Sequence, residues 1–175
     1  MRKLILGLAV SLDGFIEGPN GEYDWCFTDQ DYGLNEFFKD IDAVFIGRKS
    51  YEMKLNMGDE AMAGFPKFKE YVFSTTLTTV NDGAELIKGD LFNEVTRIKN
   101  EPGKNIWLWG GASLTHSLMQ HRLVDEFWLS VHPVLLGSGK PLFQKLQDRT
   151  WLTLIDTKTY ETGLVSLKYS LSTRE

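Results

Sequence analysis

The feature that most limits how this chain can fold is a series of short apolar runs along its first two thirds. Each run is a few residues long and ends at or beside glycine, serine or another turn former. Short, nearly unbroken apolar runs are typical of strands that are covered on both faces of a parallel sheet. We predict such strands at residues 4–10, 43–46, 71–74, 84–87 and 106–109.

Helical patterns separate most of these strands. One helix is predicted to begin near Gly47, one to follow Asp90 as its N-cap, one to follow Gly111, and a short one to carry Phe37 and Phe38. The last part of the chain has strand patterns with little helix between them, at residues 127–131, 152–157 and 164–171. This order predicts an α/β fold with a mostly parallel sheet and an antiparallel C-terminal edge.

Length and charge narrow the class of protein. The 175 residues fit one domain, spanning residues 1–175. The net charge is −5 and there is no basic run, which argues against a nucleic-acid partner. The apolar start is too short to cross a membrane, and the single Cys26 cannot form an intrachain disulfide. We therefore expect a cytoplasmic protein with neither membrane nor nucleic-acid partners.

Three predicted strand ends carry the residues best suited to bind a ligand. They are residues 47–50, 74–76 and 110–113. Ligands of open α/β sheets bind at the carboxyl ends of the strands, where helix N-termini and glycines favour phosphate. Each segment has an ordinary explanation as a turn or a polar loop. Together, at one edge of one sheet, they indicate an anionic ligand such as a dinucleotide, although the usual Gly-x-Gly-x-x-Gly fingerprint is absent.

Other motifs point to no further chemistry. Residues 137–140 look like a phosphate-binding loop, but Pro141 replaces the required Ser or Thr. The three histidines lack metal-ligand spacing, and no Gly-x-Ser-x-Gly elbow is present. We predict no metal site and no hydrolase.

Four blocks of sequence resemble the dihydrofolate reductase superfamily. They are LILGLAVSLDGFI (4–16), GRKSYE (47–52), VFSTT (72–76) and IWLWGGASL (106–114). A later block, VDEFWLSVHPVLLGSGKPLF (124–143), is most similar to the reductase domain of bacterial riboflavin biosynthesis and its stand-alone relatives. The resemblance implies a three-layer fold with a central sheet of about eight strands, NADPH as hydride donor and a homodimer.

The resemblance also assigns the cofactor contacts. It implies that Ala9 and Ile16 lie beside the nicotinamide. It implies that the phosphates are contacted by Gly47, Arg48, Lys49 and Ser50. Near the 2′-phosphate it places Arg48 together with Ser74 and Thr75. Around the pyrophosphate it places Gly110, Gly111, Ala112, Ser113 and Leu114. No acidic residue ends the strand at 72–76, which favours NADPH over NADH.

The predicted activity is NADPH-dependent transfer of a hydride to a C=N or C=O of a small heterocyclic or sugar-linked substrate. It would be similar to that of 5-amino-6-(5-phosphoribosylamino)uracil reductase. Two alternatives stay open at this point. One is a noncatalytic NADP-binding dimeric protein. The other is a divergent dihydrofolate reductase, whose acid would be displaced to Asp31 or Glu36 because Leu34 occupies the expected position.

Three further residues are candidates for the chemistry itself. Asp13 ends the first strand and could orient substrate or relay a proton, although Asp-Gly is also an ordinary turn pair. Trp109 could stack on a flat substrate ring, or it could be a core residue. Lys140 could meet an anionic group of the substrate, or it could be a solvated loop lysine.

Overall fold

Within the part of the chain that the structure describes, ten strands and four helices follow one another. The computed structural model describes residues 1–62, 64–144, 146 and 148–172. The strands are β1 (Leu4–Ser11), β2 (Phe15–Glu17), β3 (Ile41–Gly47), β4 (Lys69–Phe73), β5 (Ala84–Ile87), β6 (Asn105–Gly110), β7 (Glu126–His132), β8 (Lys140–Pro141), β9 (Leu152–Thr159) and β10 (Val165–Leu171). The helices are α1 (Leu34–Lys39), α2 (Arg48–Met62), α3 (Leu91–Asn100) and α4 (Ala112–Gln120).

The main sheet has eight strands in the order β5-β4-β3-β6-β1-β7-β10-β9. The six strands from β5 to β7 run parallel, whereas β10 and β9 are antiparallel additions at one edge. The predicted α/β class, the mostly parallel sheet of about eight strands and the antiparallel C-terminal edge are confirmed.

Helices cover both faces of this sheet. Apolar residues of α3 and α4 pack with one set of alternating strand residues, including Leu4, Leu6 and Leu108. Aromatic residues of α1 pack on the opposite face, against Ile5 and Trp107. Because successive residues of a strand point to opposite faces of the sheet, an unbroken apolar strand contributes side chains to the hydrophobic cores on both faces. No helix in the described ranges is long and apolar enough to cross a bilayer.

A partly buried charge network sets the start of the central strand β1. The ammonium of Lys99 donates to a carboxylate oxygen of Asp125 at 2.6 Å and to the carbonyl of Leu123 at 3.2 Å. The same carboxylate oxygen accepts the backbone N–H of Leu4 at 2.7 Å. Asp125 therefore links Lys99 of α3 to Leu4 of β1. Because it directly precedes β7, this link also holds β1 and β7 in register.

A small second sheet, which the sequence did not predict, closes over the end of β1. It pairs β2 with β8 in antiparallel fashion. The N–H of Leu142 also donates to the carbonyl of Gly14 at 2.9 Å. Gly139 has a φ of +145°, and a Cβ there would overlap the carbonyl oxygen of Glu17. Only glycine permits this close approach of the two strands.

Gly139→Ala should therefore destabilise the small sheet. We expect a loss of about 1–3 kcal/mol in the free energy of unfolding, because the added methyl group forces the backbone apart at a strained φ. Urea denaturation followed by circular dichroism measures this loss. Gly64→Ala is the matched control, since no atom lies within 4 Å of a Cβ at Gly64. Equal stability of the two variants would contradict the packing described for Gly139.

Candidate active site

A groove of about 580 Å³ lies at the carboxyl ends of the parallel strands. Its walls come from four consecutive strand ends, at residues 47–50, 73–76, 87–89 and 111–114, with Lys140 at the side. The three segments singled out in the sequence therefore line one groove. The segment at 87–89, which follows β5, is an addition that the sequence analysis missed.

Two turns bring helix N-termini to this groove. Strand β3 passes directly into α2 at Gly47, and β6 reaches α4 through Gly110 and Gly111. These last two have φ values of +144° and +97°, a region that favours glycine. A Cβ on Gly47 would lie 3.5 Å from the Cβ of Leu114, and one on Gly111 would lie 3.6 Å from the Cα of Gly47. The two turns therefore lie in van der Waals contact with each other.

The N-terminus of α4 is well suited to an anion. No side chain caps this helix, so its first N–H groups keep their capacity to donate to a ligand. The aligned peptide dipoles add a partial positive charge at the same place. The Gly110–Gly111 bond is trans, as are the other described peptide bonds.

The charge of the groove is entirely positive. Arg48, Lys49, Lys88 and Lys140 line it, and no Asp or Glu is among its lining residues. Arg48 makes a long ion pair, 3.4 Å, with Glu52, so its guanidinium is only weakly engaged. Lys140 pairs with Glu17 at 2.8 Å. Four cations in the lining, of which Arg48 and Lys140 pair with carboxylates outside it, favour a ligand with several phosphate charges.

The hydroxyl groups after β4 have a local role as well. The oxygen of Ser74 accepts the N–H of Thr76 at 3.2 Å and of Leu77 at 3.0 Å, which shapes the turn. Its hydroxyl hydrogen remains able to donate, with the hydroxyl of Thr76 at 3.4 Å as its neighbour. Thr75 lines the groove beside it.

Five of the predicted site residues do not line the groove: Ala9, Asp13, Ile16, Trp109 and Gly110. Ala9 is half-buried in β1, and Ile16 packs against the main core. Neither lines the groove. Trp109 also lies outside it and lines a second cavity on the face of the sheet that carries α1 and α2. Lys140, which we placed with the substrate, lies instead at the groove.

This second cavity has a volume of about 770 Å³ and is rich in aromatic rings. Its aromatic lining consists of Tyr51, Phe65, Phe68, Trp107 and Trp109. Its charged lining consists of the ion pair between Lys54 and Glu70, together with Lys67 and Asp82. The two tryptophan rings lie 5.4 Å apart at 31°, and Phe65 is nearly parallel to Trp107 at 6.2 Å. Such flat walls suit a planar ring.

The position expected for a folate-type acid is apolar in this chain. Leu34 packs with the aromatic residues of α1, and the indole N–H of Trp107 donates to the carbonyl of Gly7 at 2.7 Å. A Cβ on Gly7 would lie 3.0 Å from that nitrogen. The Trp107 ring thus occupies the space above the middle of β1.

The nearby acids are all engaged elsewhere. A carboxylate oxygen of Asp29 accepts the hydroxyl of Tyr32 at 2.7 Å. Asp31 accepts two backbone N–H groups at the start of α1, and the exposed Glu36 pairs with Lys39 at 2.6 Å. None of them reaches into the aromatic cavity.

Asp13 holds a loop in place. Its carboxylate accepts the hydroxyl of Ser11 at 2.6 Å and the N–H groups of Leu136 and Gly137 at 3.2 and 2.8 Å. The bond from Ser11 and then those from the two backbone groups lower the pKa of Asp13. The residue is therefore ionised at neutral pH and ties the segment before β8 to the end of β1. Its proposed part in proton transfer stays a prediction.

His132 is a residue that the sequence analysis missed. It is buried at the end of β7, and its Nε2 accepts the N–H of Phe27 at 3.1 Å. Its Nδ1 lies 3.0 Å from the carbonyl of Ser130, to which the neutral ring donates. The rings of Trp25 and Phe27 contact it edge-on at 5.3 and 5.0 Å. His132 thus anchors the long loop between β2 and α1.

The fold and the groove together define a class of protein. The fold has three layers, a central sheet with helices on both faces. This strand order is that of the dihydrofolate-reductase-like α/β proteins, and the cationic groove lies at the carboxyl ends of the strands. The model of the RibD C-terminal domain family matches residues 2–166, and the chain belongs to this family.

Similar proteins agree with this placement. The uncharacterized protein YyaP of Bacillus subtilis (strain 168) is 44% identical over 177 residues, covering 96% of this chain and 94% of that one. The structure of a putative riboflavin biosynthesis protein from Shewanella sp. PV-4 has a TM-score of 0.85 at 24% identity. The match covers 98% of this chain and 99% of that one.

A second similar structure comes from a longer chain. It is a diaminohydroxyphosphoribosylaminopyrimidine deaminase/5-amino-6-(5-phosphoribosylamino)uracil reductase of Thermotoga maritima. Its TM-score is 0.72 at 13% identity, and the match covers 98% of this chain but 57% of that one. At such identities the structural likeness shows the fold.

His132 should make the loop between β2 and α1 sensitive to pH. Burial lowers its pKa below the usual 6.5, so the neutral acceptor form holds at pH 7. Because the folded-state pKa is lowered, the stabilising contribution is complete above pH 6.5 and is lost as the pH falls. Protonation would set an N–H of the ring against the N–H of Phe27. We expect tryptophan emission to change below pH 6.5, and this change should be absent in Trp25→Phe.

The matched control is a second histidine. His132→Gln should abolish the pH-dependent change in emission, whereas His121→Gln should leave it intact, because His121 makes its ring contact with Phe92. A transition that persists in His132→Gln would show that another group is responsible.

Proposed function

We propose that this protein is an NADPH-dependent reductase of the RibD C-terminal domain family, acting in the cytoplasm on a small molecule. The observation that carries the proposal is the groove, which combines two helix N-termini with four cations and has no carboxylate among its lining residues. A ligand with a pyrophosphate and a further phosphate matches this charge. The proposed enzyme is a single domain and a homodimer, as the resemblance implies.

The residues present fit such a cofactor. The N–H groups at the start of α4, from Ala112 to Leu114, would hold the pyrophosphate. Arg48 would hold the 2′-phosphate with Ser74 and Thr75, because a guanidinium presents paired donors to phosphate oxygens. Bound NADPH would supply a hydride; the protein supplies position and charge.

The aromatic cavity is the proposed substrate site. Its parallel rings suit a planar heterocycle, which agrees with a C=N or C=O acceptor in a heterocyclic or sugar-linked substrate. Trp109 lines this cavity, and the turn that directly follows it in the sequence, Gly110–Gly111, leads into the groove. The proposed contact of Trp109 with the substrate follows from that position.

The two alternatives differ in their support. A noncatalytic NADP-binding protein is favoured by the lack of a buried acid beside α1. It predicts binding of NADPH without consumption across a broad panel of carbonyl and imine substrates. A divergent dihydrofolate reductase has less support, because Asp31 and Glu36 are both engaged outside the cavity. Incubation with dihydrofolate and NADPH tests it directly.

Replacing Arg48 should separate the two nucleotides. Arg48→Ala should weaken NADPH binding by roughly 10- to 100-fold, since a hydrogen bond to a charged group contributes about 1.5–3 kcal/mol. Binding of NADH, which lacks the 2′-phosphate, should change little. Isothermal titration calorimetry measures both affinities.

Lys67→Ala is the matched control for this change. It removes the same charge, but from the aromatic cavity instead of the groove. It should leave NADPH affinity unaltered. If neither nucleotide binds the wild-type protein, or if Arg48→Ala lowers both affinities equally, the proposed cofactor site is wrong.

Replacing Trp109 tests the substrate site. Trp109→Leu should raise KM for the accepted substrate by about tenfold, because loss of a stacked aromatic wall costs on the order of 1 kcal/mol or more. The affinity for NADPH should be unchanged, and Trp109→Phe should restore much of the loss. A variant with normal KM but weaker NADPH binding would move Trp109 to the cofactor side.

A further inference from the structure

The hydroxyl group of Tyr51, a buried tyrosine in the wall of the aromatic cavity, is only half used. The side chain is 3% exposed, and its oxygen accepts the backbone N–H of Asn81 at 2.9 Å. Both residues of this hydrogen bond line the cavity. A phenol hydroxyl also carries a hydrogen of its own. Within the described ranges, no residue accepts that hydrogen.

The turn after Val80 determines what this hydroxyl offers to a ligand. The N–H of Ala84 donates to the carbonyl of Asn81 at 3.1 Å, and Gly83 has a φ of +89°. Val80 packs in the same apolar cluster as Tyr51. The N–H of Asn81 therefore meets the phenol oxygen from a fixed position. Because this N–H occupies the accepting side of the oxygen, the hydroxyl acts toward the cavity as a donor.

A buried donor of this kind distinguishes between ligands of the same shape. Buried tyrosine hydroxyls usually have a hydrogen-bond partner, and an unsatisfied one costs free energy. Water can accept the hydrogen bond in an open cavity, but a bound ring that displaces the water has to accept it instead. A ligand without an acceptor leaves the hydroxyl unsatisfied and binds less tightly.

The other polar groups of the aromatic cavity are less suited to orient a ligand. Its charged side chains are either paired with each other or exposed. The buried indole N–H of Trp107 is already used by the carbonyl of Gly7 at 2.7 Å. Tyr51 combines burial with an unused donor. A buried donor in a fixed position orients a ligand better than an exposed lysine does, because less side-chain freedom is lost on binding.

Tyr51 also lies in the helical turn that serves both proposed sites. It is the fourth residue of α2, and residues 48–50, which precede it, line the groove. Its ring belongs to the apolar cluster on which Trp109 packs, and Trp109 is the proposed stacking partner of the substrate. The two residues thus bring a flat wall and a directional donor to the same part of the cavity.

We propose that the hydroxyl of Tyr51 selects the substrate by donating a hydrogen bond to an acceptor atom on the edge of a planar heterocycle. This inference rests on the proposed assignment of the aromatic cavity as the substrate site. A ring carbonyl oxygen or an unprotonated ring nitrogen fits the donor, whereas an edge that presents N–H or C–H does not. C=O and C=N groups both carry such an acceptor atom, so this substrate class agrees with the hydride acceptors proposed above.

Two probes of equal shape isolate this hydrogen bond. Quinoline, neutral at neutral pH, has a ring nitrogen that accepts a hydrogen bond, and naphthalene has the same fused rings without it. Ligand-observed NMR titration measures the dissociation constant of each. From the wild type to Tyr51→Phe, the affinity for quinoline relative to naphthalene should fall about three- to tenfold, the contribution of one neutral hydrogen bond.

The ratio of the two affinities separates the hydrogen bond from a change of structure. A displaced turn at residues 80–84 would alter the binding of both probes, because they fill the same space. The nitrogen resonance of isotope-labelled quinoline gives a second measurement, on the wild type alone. It should move to lower frequency on binding, as it does when the nitrogen accepts a hydrogen bond.

Tyr71→Phe is the matched control. It removes the hydroxyl of another buried tyrosine, which donates to Glu101 at 2.8 Å and does not line the cavity. The ratio of quinoline to naphthalene affinity should equal that of the wild type. Circular dichroism of both variants establishes that the fold is intact.

The outcomes separate this inference from the proposed function. If both probes bind and their affinity ratio is the same in Tyr51→Phe as in the wild type, the selecting role of Tyr51 is wrong and the cavity remains a ligand site. If NADPH binds the wild type but neither probe does, the inference is wrong together with the proposed substrate site, whereas the cofactor site stands. If NADPH does not bind and the ratio still falls in Tyr51→Phe, the hydrogen bond is confirmed and the proposed reductase activity is not.

Discussion

The close approach of Gly47 and Gly111 is the constraint on which the site depends. Gly47 ends β3, Gly111 directly follows the neighbouring parallel strand β6, and each leads into a helix. Because Gly111 has a φ of +97°, a conformation that residues with a side chain rarely adopt, this connection between β6 and α4 favours glycine. The convergence places two sets of N–H groups at one edge of the sheet, and the groove is the result.

The face of the sheet that carries α1 is packed with aromatic side chains. Phe37 is stacked on Trp128 at 4.5 Å and lies edge-on to Trp107 at 6.1 Å. The buried indole N–H of Trp107 is satisfied by the carbonyl of Gly7, so this packing leaves no unpaired donor there. Polar binding groups gather at the strand ends, whereas flat apolar surface gathers on this face. One sheet thus provides two different environments at adjoining positions.

Local sequence patterns predicted the helices and strands well, but they did not predict the contacts between segments that are distant in the sequence. The strand at 84–87 and the N-cap Asp90, which accepts the N–H of Asn93 at 2.9 Å, depend on neighbouring residues. Lys88 was missed because a single lysine after a short strand has no pattern, although its place at a strand end was a usable signal.

The missed tertiary contacts join residues that are far apart in the chain. His132 meets Phe27 across 105 residues, and Lys140 meets Glu17 across 123 residues. Neither pairing leaves a periodicity that could be recognised in one sequence. The groove was therefore predictable from its glycines and hydroxyls, whereas the anchoring of the loops around it was not.

The ionisable groups of the aromatic cavity limit the reactions that suit it. Reduction of a neutral C=N or C=O leaves negative charge on the acceptor atom until a proton arrives. The carboxylates beside α1 are engaged elsewhere, and the charged residues that line the cavity are Lys54, paired with Glu70, together with Lys67 and the exposed Asp82. Ammonium groups stabilise developing negative charge without needing a raised carboxylate pKa. Acceptors that delocalise this charge over a ring, or take their proton from water, therefore fit the cavity better than those that require a strong buried acid.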